Sequence, residues 1–140
     1  MNVLYTAVAK AHGGREGKVT STDPALSLAL SMPKGLGGPG GEGTNPEQLF
    51  ASGYAACFES ALRLVARMQK KHLTDASITA HVQLIKEDSG AFKLAVALHG
   101  SLTGVPRGEA EALMKAAHEV CPYSRATRGN IDVTLAVDEA

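Results

Sequence analysis

Residues 45–71 read NPEQLFASGYAACFESALRLVARMQKK. An acceptor side chain, a proline and an acid in succession mark a helix start. Asn45 suits the N-cap, Pro46 the first helical position, and Glu47 the positive end of the helix dipole. Lys70 and Lys71 are the basic residues that favour a helix C-terminus, so the spacing predicts a helix running to one of them. Between Gln48 and Glu59 there is no charge. A helix apolar on all sides over that length is buried on several faces, which makes it the centre of the fold. Gly53 is its weak point: a mid-helix glycine costs about 1 kcal/mol relative to alanine, and a loosening is expected there.

Upstream, VLYTAVAKA (3–11) is β-prone, HGGREG (12–17) is a glycine-rich turn and VTST (19–22) is a short strand. ALSLALSM (25–32) alternates strictly, with Leu26, Leu28, Leu30 and Met32 on one face. Together they predict an antiparallel meander. PKGLGGPGGEGT (33–44) holds six of the fifteen glycines. It lacks the patterns of phosphate-binding loops and reads as a flexible connector. Downstream, SITAHVQLIKE (77–87) and FKLAVALHGSL (92–102) flank EDSGA as a hairpin. Its inner faces are Ile78, Ala80, Val82 and Leu84, then Phe92, Leu94, Val96 and Leu98. Pro106 opens a second helix that ends at Cys121, because Pro122 disfavours helical backbone in the residue before it. NIDVTLAV (130–137) is the last strand. The order βββ-α-ββ-α-β, without regular βαβ alternation, is that of an α+β fold, and 140 residues predict a single domain, 1–140.

The balance of 14 basic against 14 acidic residues argues against a nucleic-acid partner, which needs a basic excess. Three Phe, three Tyr and no Trp make a base-stacking platform equally unfavourable. The longest uncharged apolar run, LFASGYAACF (49–58), is far short of the ~20 residues that span a bilayer. MNVLYTAVAK has neither the charged nor the apolar region of a secretory signal. A soluble, cytoplasmic protein is expected. Two cysteines in that compartment are no disulfide framework, and a bond between them would more often be transient, catalytic or sensing.

Cys57 and Cys121 are the two thiols. Cysteine is among the most buried residue types, and a buried thiol is usually inert, so core filler is the simpler reading of Cys57 alone. Its helix neighbours Gly53, Tyr54, Ser60 and Ala61 offer neither base nor positive charge. A reactive thiolate at Cys57 therefore requires a cation from elsewhere in the chain. Cys121, at a helix C-terminus where carbonyls disfavour an anion, is a poor attacking thiol but a possible second partner. His118 and Cys121 form an HxxC pair to which Cys57 could add a third metal ligand, although zinc sites usually show two close pairs. A Cys–His hydrolase also remains open, with no His tied to Cys57 by a local signature.

YTAVAKAHGGREG, LGGPGGEGTNPEQLFASGYAACFESAL and AHEVCPYSRATRGNIDVTL closely resemble the organic hydroperoxide resistance proteins, the Ohr subgroup of the OsmC/Ohr family. The blocks span nearly the whole chain in the correct order. Ser52, Glu59 and Arg125 depart from the pattern outside the expected catalytic positions. The resemblance implies an OsmC/Ohr-like α+β fold with a buried central helix, assembled as an intertwined homodimer. It implies a cysteine-based peroxidase that reduces organic (alkyl and fatty-acid) hydroperoxides to alcohols without haem, flavin or metal. Cys57 matches the peroxidatic cysteine, Cys121 the resolving one, Arg15 the cation that stabilises the thiolate, and Glu47 the acid that orients that Arg. A Cys57 sulfenic acid and then a Cys57–Cys121 disulfide would form, re-reduced by a lipoyl dithiol on a lipoylated protein or as dihydrolipoamide. The apolar stretch around Cys57 makes Leu49, Phe50, Tyr54 and Phe58 candidate substrate walls, with plain core packing open for each. A redox sensor or hydroperoxide-binding protein with little turnover is the alternative.

Overall fold

Asn45 caps its helix as expected: its Oδ1 accepts the Gln48 N–H at 2.8 Å, and helix α1 (Pro46–Met68) begins with Pro46. The computed structural model describes residues 1–139. α1 passes through Gly53 without a break. It stops two residues before Lys70, in a turn where Lys71 N–H reaches the Ala66 carbonyl and Lys70 N–H that of Arg67. Lys70 adopts φ 56° there, the left-handed position usually given to glycine.

The chain divides into two compact units, Met1–Leu49 and a second beginning at Phe50. In the first, β1 (Ala9–His12), β2 (Lys18–Ser21) and β3 (Ser27–Ala29) form an antiparallel sheet in that order, the expected meander. Its strands are shorter than their β-prone stretches. Val3, Leu4, Tyr5 and Val8 lie before β1 and are exposed. The alternation of residues 25–32 does not produce one buried face. Leu30 is buried while Leu28 is 39% exposed, because this sheet carries no covering layer from its own unit. The glycine-rich loop is also less free than its composition suggests. Ser31 N–H bonds the Thr44 carbonyl, Thr44 N–H that of Ala29, and Gly43 N–H the Ser31 hydroxyl. A Cβ at Gly43 would come within 2.5 Å of the Leu30 backbone, so glycine is what permits this return.

In the second unit, β4 (Asp75–Lys86) and β5 (Phe92–Thr103) form the expected hairpin, in register from Asp75↔Thr103 to Lys86↔Phe92. β6 (Val133–Val137) joins β5 in parallel, after the crossover that parallel pairing requires. The crossover holds α2 (Arg107–Val120) and a further helix, α3 (Pro122–Thr127), that the sequence reading did not anticipate. Tyr54, Phe58 and Leu62 of α1, Leu98 of β5, and Leu113 and Met114 of α2 form a closed core. α2 lies close over Gly100, where a Cβ would stand 2.6 Å from Met114 Sδ. Phe92, expected on the inner face, is 65% exposed instead, since it pairs at the last rung of the hairpin.

Candidate active site

Cys57 lies three turns into α1 and Cys121 between α2 and α3, a sequence separation of 64 that the fold reduces to 3.8 Å between sulfurs. Both are free thiols. Cys121 is fully buried and is simultaneously the last cap of α2 and the first of α3: its N–H bonds the Ala117 carbonyl, and its own carbonyl accepts the Arg125 N–H. Pro122 explains both roles. It stops α2, and its fixed φ suits the first position of α3.

Burial pushes the half-buried Cys57 thiol up from its ordinary value. The backbone N–H of Tyr123, in the first turn of α3, donates to Cys57 and pulls the other way; Cys121 adds to the upward push. Tyr123 was not foreseen, and Gly53 is its counterpart on α1. A Cβ on Gly53 would stand 2.9 Å from Tyr123 Oη and 3.2 Å from its Cε2, so the glycine is a slot for the tyrosine ring. Phe50, Tyr54 and Tyr123 then form a contiguous set of rings, with centroids 6.1 Å apart for Phe50–Tyr54 and 5.8 Å for Tyr54–Tyr123.

Phe50 and Tyr123 also line a cavity of about 940 Å³, with Phe92, Leu94, Pro122 and Ile131 completing most of its apolar surface. Of the other expected wall residues, Leu49 is half-buried, whereas Tyr54 and Phe58 are fully buried in the core. His118 forms no metal constellation with the cysteines. Its Nδ1 lies 2.8 Å from Ser124 Oγ, and burial, reinforced by Arg128 and opposed by Glu119, holds its pKa below the usual value. Among the described residues no three His, Cys, Asp or Glu side chains gather as metal ligands.

In the first unit, Arg15 and Glu47 meet as a bidentate pair, Nη1 donating to Oε2 at 2.8 Å and Nη2 to Oε1 at 2.7 Å. Arg15 stands on a tight turn, Gly14–Glu16, closed by the Gly17 N–H on the Gly14 carbonyl. Gly13 at φ 89° makes the entry, and a Cβ at Gly17 would overlap the His12 carbonyl at 1.8 Å. The pairing lowers the Glu47 pKa and raises that of Arg15.

The OsmC-like protein family model matches residues 38–136. The chain belongs to the OsmC-like family. Within it, the chain stands with the organic hydroperoxide resistance (Ohr) proteins. It is 54% identical over 134 residues to the organic hydroperoxide resistance protein of Xanthomonas axonopodis pv. citri, covering 95% of this chain and 94% of that protein. It is 52% identical to the organic hydroperoxide resistance protein OhrA of Bacillus subtilis, over 97% of both. The crystal structure of an organic hydroperoxide resistance protein OsmC from Legionella pneumophila superposes with a TM-score of 0.93 at 59% identity, over 99% of this chain and 100% of that one. The α+β architecture is thus that of known OsmC-like proteins. Among the described residues, no helix is long and apolar enough to cross a membrane.

Proposed function

We propose that this OsmC-like protein is a thiol-dependent peroxidase that reduces organic hydroperoxides. The observation that carries the reading is the approach of its two cysteines to 3.8 Å across 64 residues of sequence. A pair brought together without a bond is poised to form one, and the names of the relatives point to the oxidant. The Cys57 thiolate attacks the distal peroxide oxygen, the O–O bond breaks, and the leaving alkoxide takes up a proton as the alcohol. Cys57 becomes a sulfenic acid. The Cys121 thiol condenses with it, forming the S–S bond and releasing water. A dithiol reopens the disulfide and leaves as its own cyclic disulfide, completing the conversion of hydroperoxide and dithiol into alcohol, water and disulfide. A lipoyl group, on a protein or as dihydrolipoamide, suits this role. The thiols carry the electrons, so the cycle calls for no haem, flavin or metal.

Arg15 is the proposed cation. Guanidinium stays protonated throughout the working range, and two of its five N–H donors hold Glu47, leaving others for a sulfur anion. The apolar cavity beside Phe50 and Tyr123 is the proposed seat of the hydroperoxide tail, with Phe92, Leu94 and Ile131 as further wall; Tyr54 and Phe58 lie in the core instead. A homodimer is proposed because the first unit has Leu30 as its buried hydrophobic residue while Val3, Leu4, Tyr5 and Val8 stand exposed, and a three-stranded sheet needs a packed face. The reducing cytoplasm suits a disulfide that must reopen on every cycle.

The test is steady-state turnover with dihydrolipoamide, comparing tert-butyl and fatty-acid hydroperoxides with hydrogen peroxide. Organic hydroperoxides should be preferred. Cys57→Ser should be inactive, and Cys121→Ser should consume about one equivalent per site before stalling. Wild-type activity in Cys57→Ser would refute the assignment. One-equivalent oxidation of the wild type without turnover would favour the sensor reading.

A further inference from the structure

A buried chain of hydroxyls has no part in the chemistry above. Ser124 is fully buried and Thr127 nearly so, and they are the buried polar residues among those described. Tyr54 Oη lies 2.8 Å from Ser124 Oγ and 3.1 Å from Thr127 Oγ1, while Ser124 Oγ also meets His118 Nδ1 at 2.8 Å. Arg128 donates to the His118 carbonyl. The chain therefore ties α1 to α2 and α3 at one point. Its members are placed symmetrically about the thiols. Tyr54 precedes Cys57 by three residues, His118 precedes Cys121 by three, and Ser124 follows Cys121 by three. Tyr54 and Cys57, three apart within α1, are neighbours on one helix face, while His118 and Ser124 flank the α2–α3 junction at Cys121.

We propose that Tyr54–Ser124–His118 is a strut that sets the gap between the two sulfurs, making Ser124 and His118 positioning residues for disulfide formation. The proposal rests on the peroxidase reading for its purpose, but the strut acts on the dithiol whatever oxidises it. Bond formation must shorten 3.8 Å to about 2.05 Å. Displacements of ~1 Å in a reacting pair can cost roughly a hundredfold in rate, so a joint that drifts would leave the sulfenic acid waiting. The buried hydroxyls hold the sulfurs in contact and so raise the effective concentration of one thiol toward the other.

The test measures the reduction potential of the Cys57–Cys121 pair by equilibration in dithiothreitol buffers. It also measures the ratio of disulfide formation to Cys57 oxidation after a pulse of tert-butyl hydroperoxide, with dimedone trapping the sulfenic acid. Ser124→Ala and His118→Leu remove the strut. His118→Asn keeps a polar atom near the Nδ1 position and should restore both readouts. His118 is only half-buried, so its variants remain informative if Ser124→Ala folds poorly. Loss of tenfold or more in effective concentration is expected, a rise of about 30 mV in potential, with the sulfenic acid longer-lived in proportion. A general loss of stability would not by itself change the potential of a folded dithiol or be reversed by His118→Asn. An unchanged potential in both strut variants would overturn the proposal, even if the wild type consumes hydroperoxide. A raised potential alongside a wild type inert to hydroperoxide would retain the strut and reject the peroxidase.

Discussion

Oxidation should make the protein markedly harder to melt. A Cys57–Cys121 bond would cross-link residues separated by 64 positions. In the chain-entropy description, a loop of that size costs the unfolded state about 14.5 cal/mol/K, or about 4.3 kcal/mol at 25 °C. Unfolding entropy near ~2.1 cal/mol/K per residue gives about 0.29 kcal/mol/K for 140 residues, so the ceiling is a rise of about 15 °C. Part of this is spent in drawing the sulfurs in from 3.8 Å, and about 10 °C is the expected shift. The assay is a thermal melt at fixed protein concentration, so that any association equilibrium is held constant. It compares the dithiol-reduced protein with protein treated with one equivalent of hydroperoxide, and includes Cys121→Ser as a variant that cannot form the bridge. An oxidised form that melts at or below the reduced one would mean that the resting approach of the thiols is not a geometry from which the bond forms without strain. An equal rise in Cys121→Ser would mean that the effect is not the cross-link.

Three further outcomes are expected. Lys70→Gly should stabilise the protein by about 0.5–1 kcal/mol, because left-handed backbone costs a side chain ~1–2 kcal/mol and glycine returns part of that as entropy; denaturant midpoints would reveal it. Gly53→Ala gains about 1 kcal/mol of helix propensity, but its Cβ displaces the Tyr123 ring. Stability should stay within ~1 kcal/mol of wild type, while KM for fatty-acid hydroperoxides rises more than KM for tert-butyl hydroperoxide. The Glu47 pKa is depressed by Arg15, so the pair's contribution, about 1 kcal/mol for a bidentate pair this exposed, is present above the ordinary carboxylate range and lost as pH falls through the depressed value. Glu47→Gln should flatten that part of the acid limb in pH-dependent melts.

What the sequence made legible was local. Asn45, Pro46 and Glu47 announce α1 because capping chemistry involves only adjacent residues. The β4–β5 hairpin is legible because strict alternation fixes which side chains share a face. Glycine was harder to read. Gly53 read as a weak point, since propensity is all that a single position reveals, whereas its use is space for a ring 70 positions away. Gly43 read as slack in a connector but permits a tight return of the backbone. α3 was missed because Pro122 stops one helix and starts another, and only the stop was used. The strut was invisible for a related reason: Tyr54, Ser124 and His118 are ordinary residues until packing joins them. Resemblance, not spacing, assigned the roles of Cys57, Cys121, Arg15 and Glu47. The structure adds the 3.8 Å approach of the thiols and the 2.7 Å ion pair.

The pairing of Arg15 with Glu47 constrains how a cation of this kind can act on Cys57. Burial favours the neutral thiol, and the Tyr123 N–H offsets that only in part. An arginine bound through two N–H groups to a carboxylate is neutral as a pair, so its field at a distance is that of a dipole and is further weakened by solvent and salt. If Arg15 serves Cys57 as proposed, its help would come through direct hydrogen bonds from its remaining donors, with Glu47 fixing the plane of the guanidinium rather than adding charge. The two modes predict opposite signs for one variant. If Arg15 acted through its field, Glu47→Gln would unmask a full positive charge and lower the Cys57 pKa. If it acts by contact, Glu47→Gln releases the guanidinium and raises the Cys57 pKa in the same direction as Arg15→Ala. Thiolate absorbance against pH in the three proteins decides between them, and we expect both variants to titrate above wild type. A Glu47→Gln protein titrating below it would reject positioning by contact and leave the field as the activating agent.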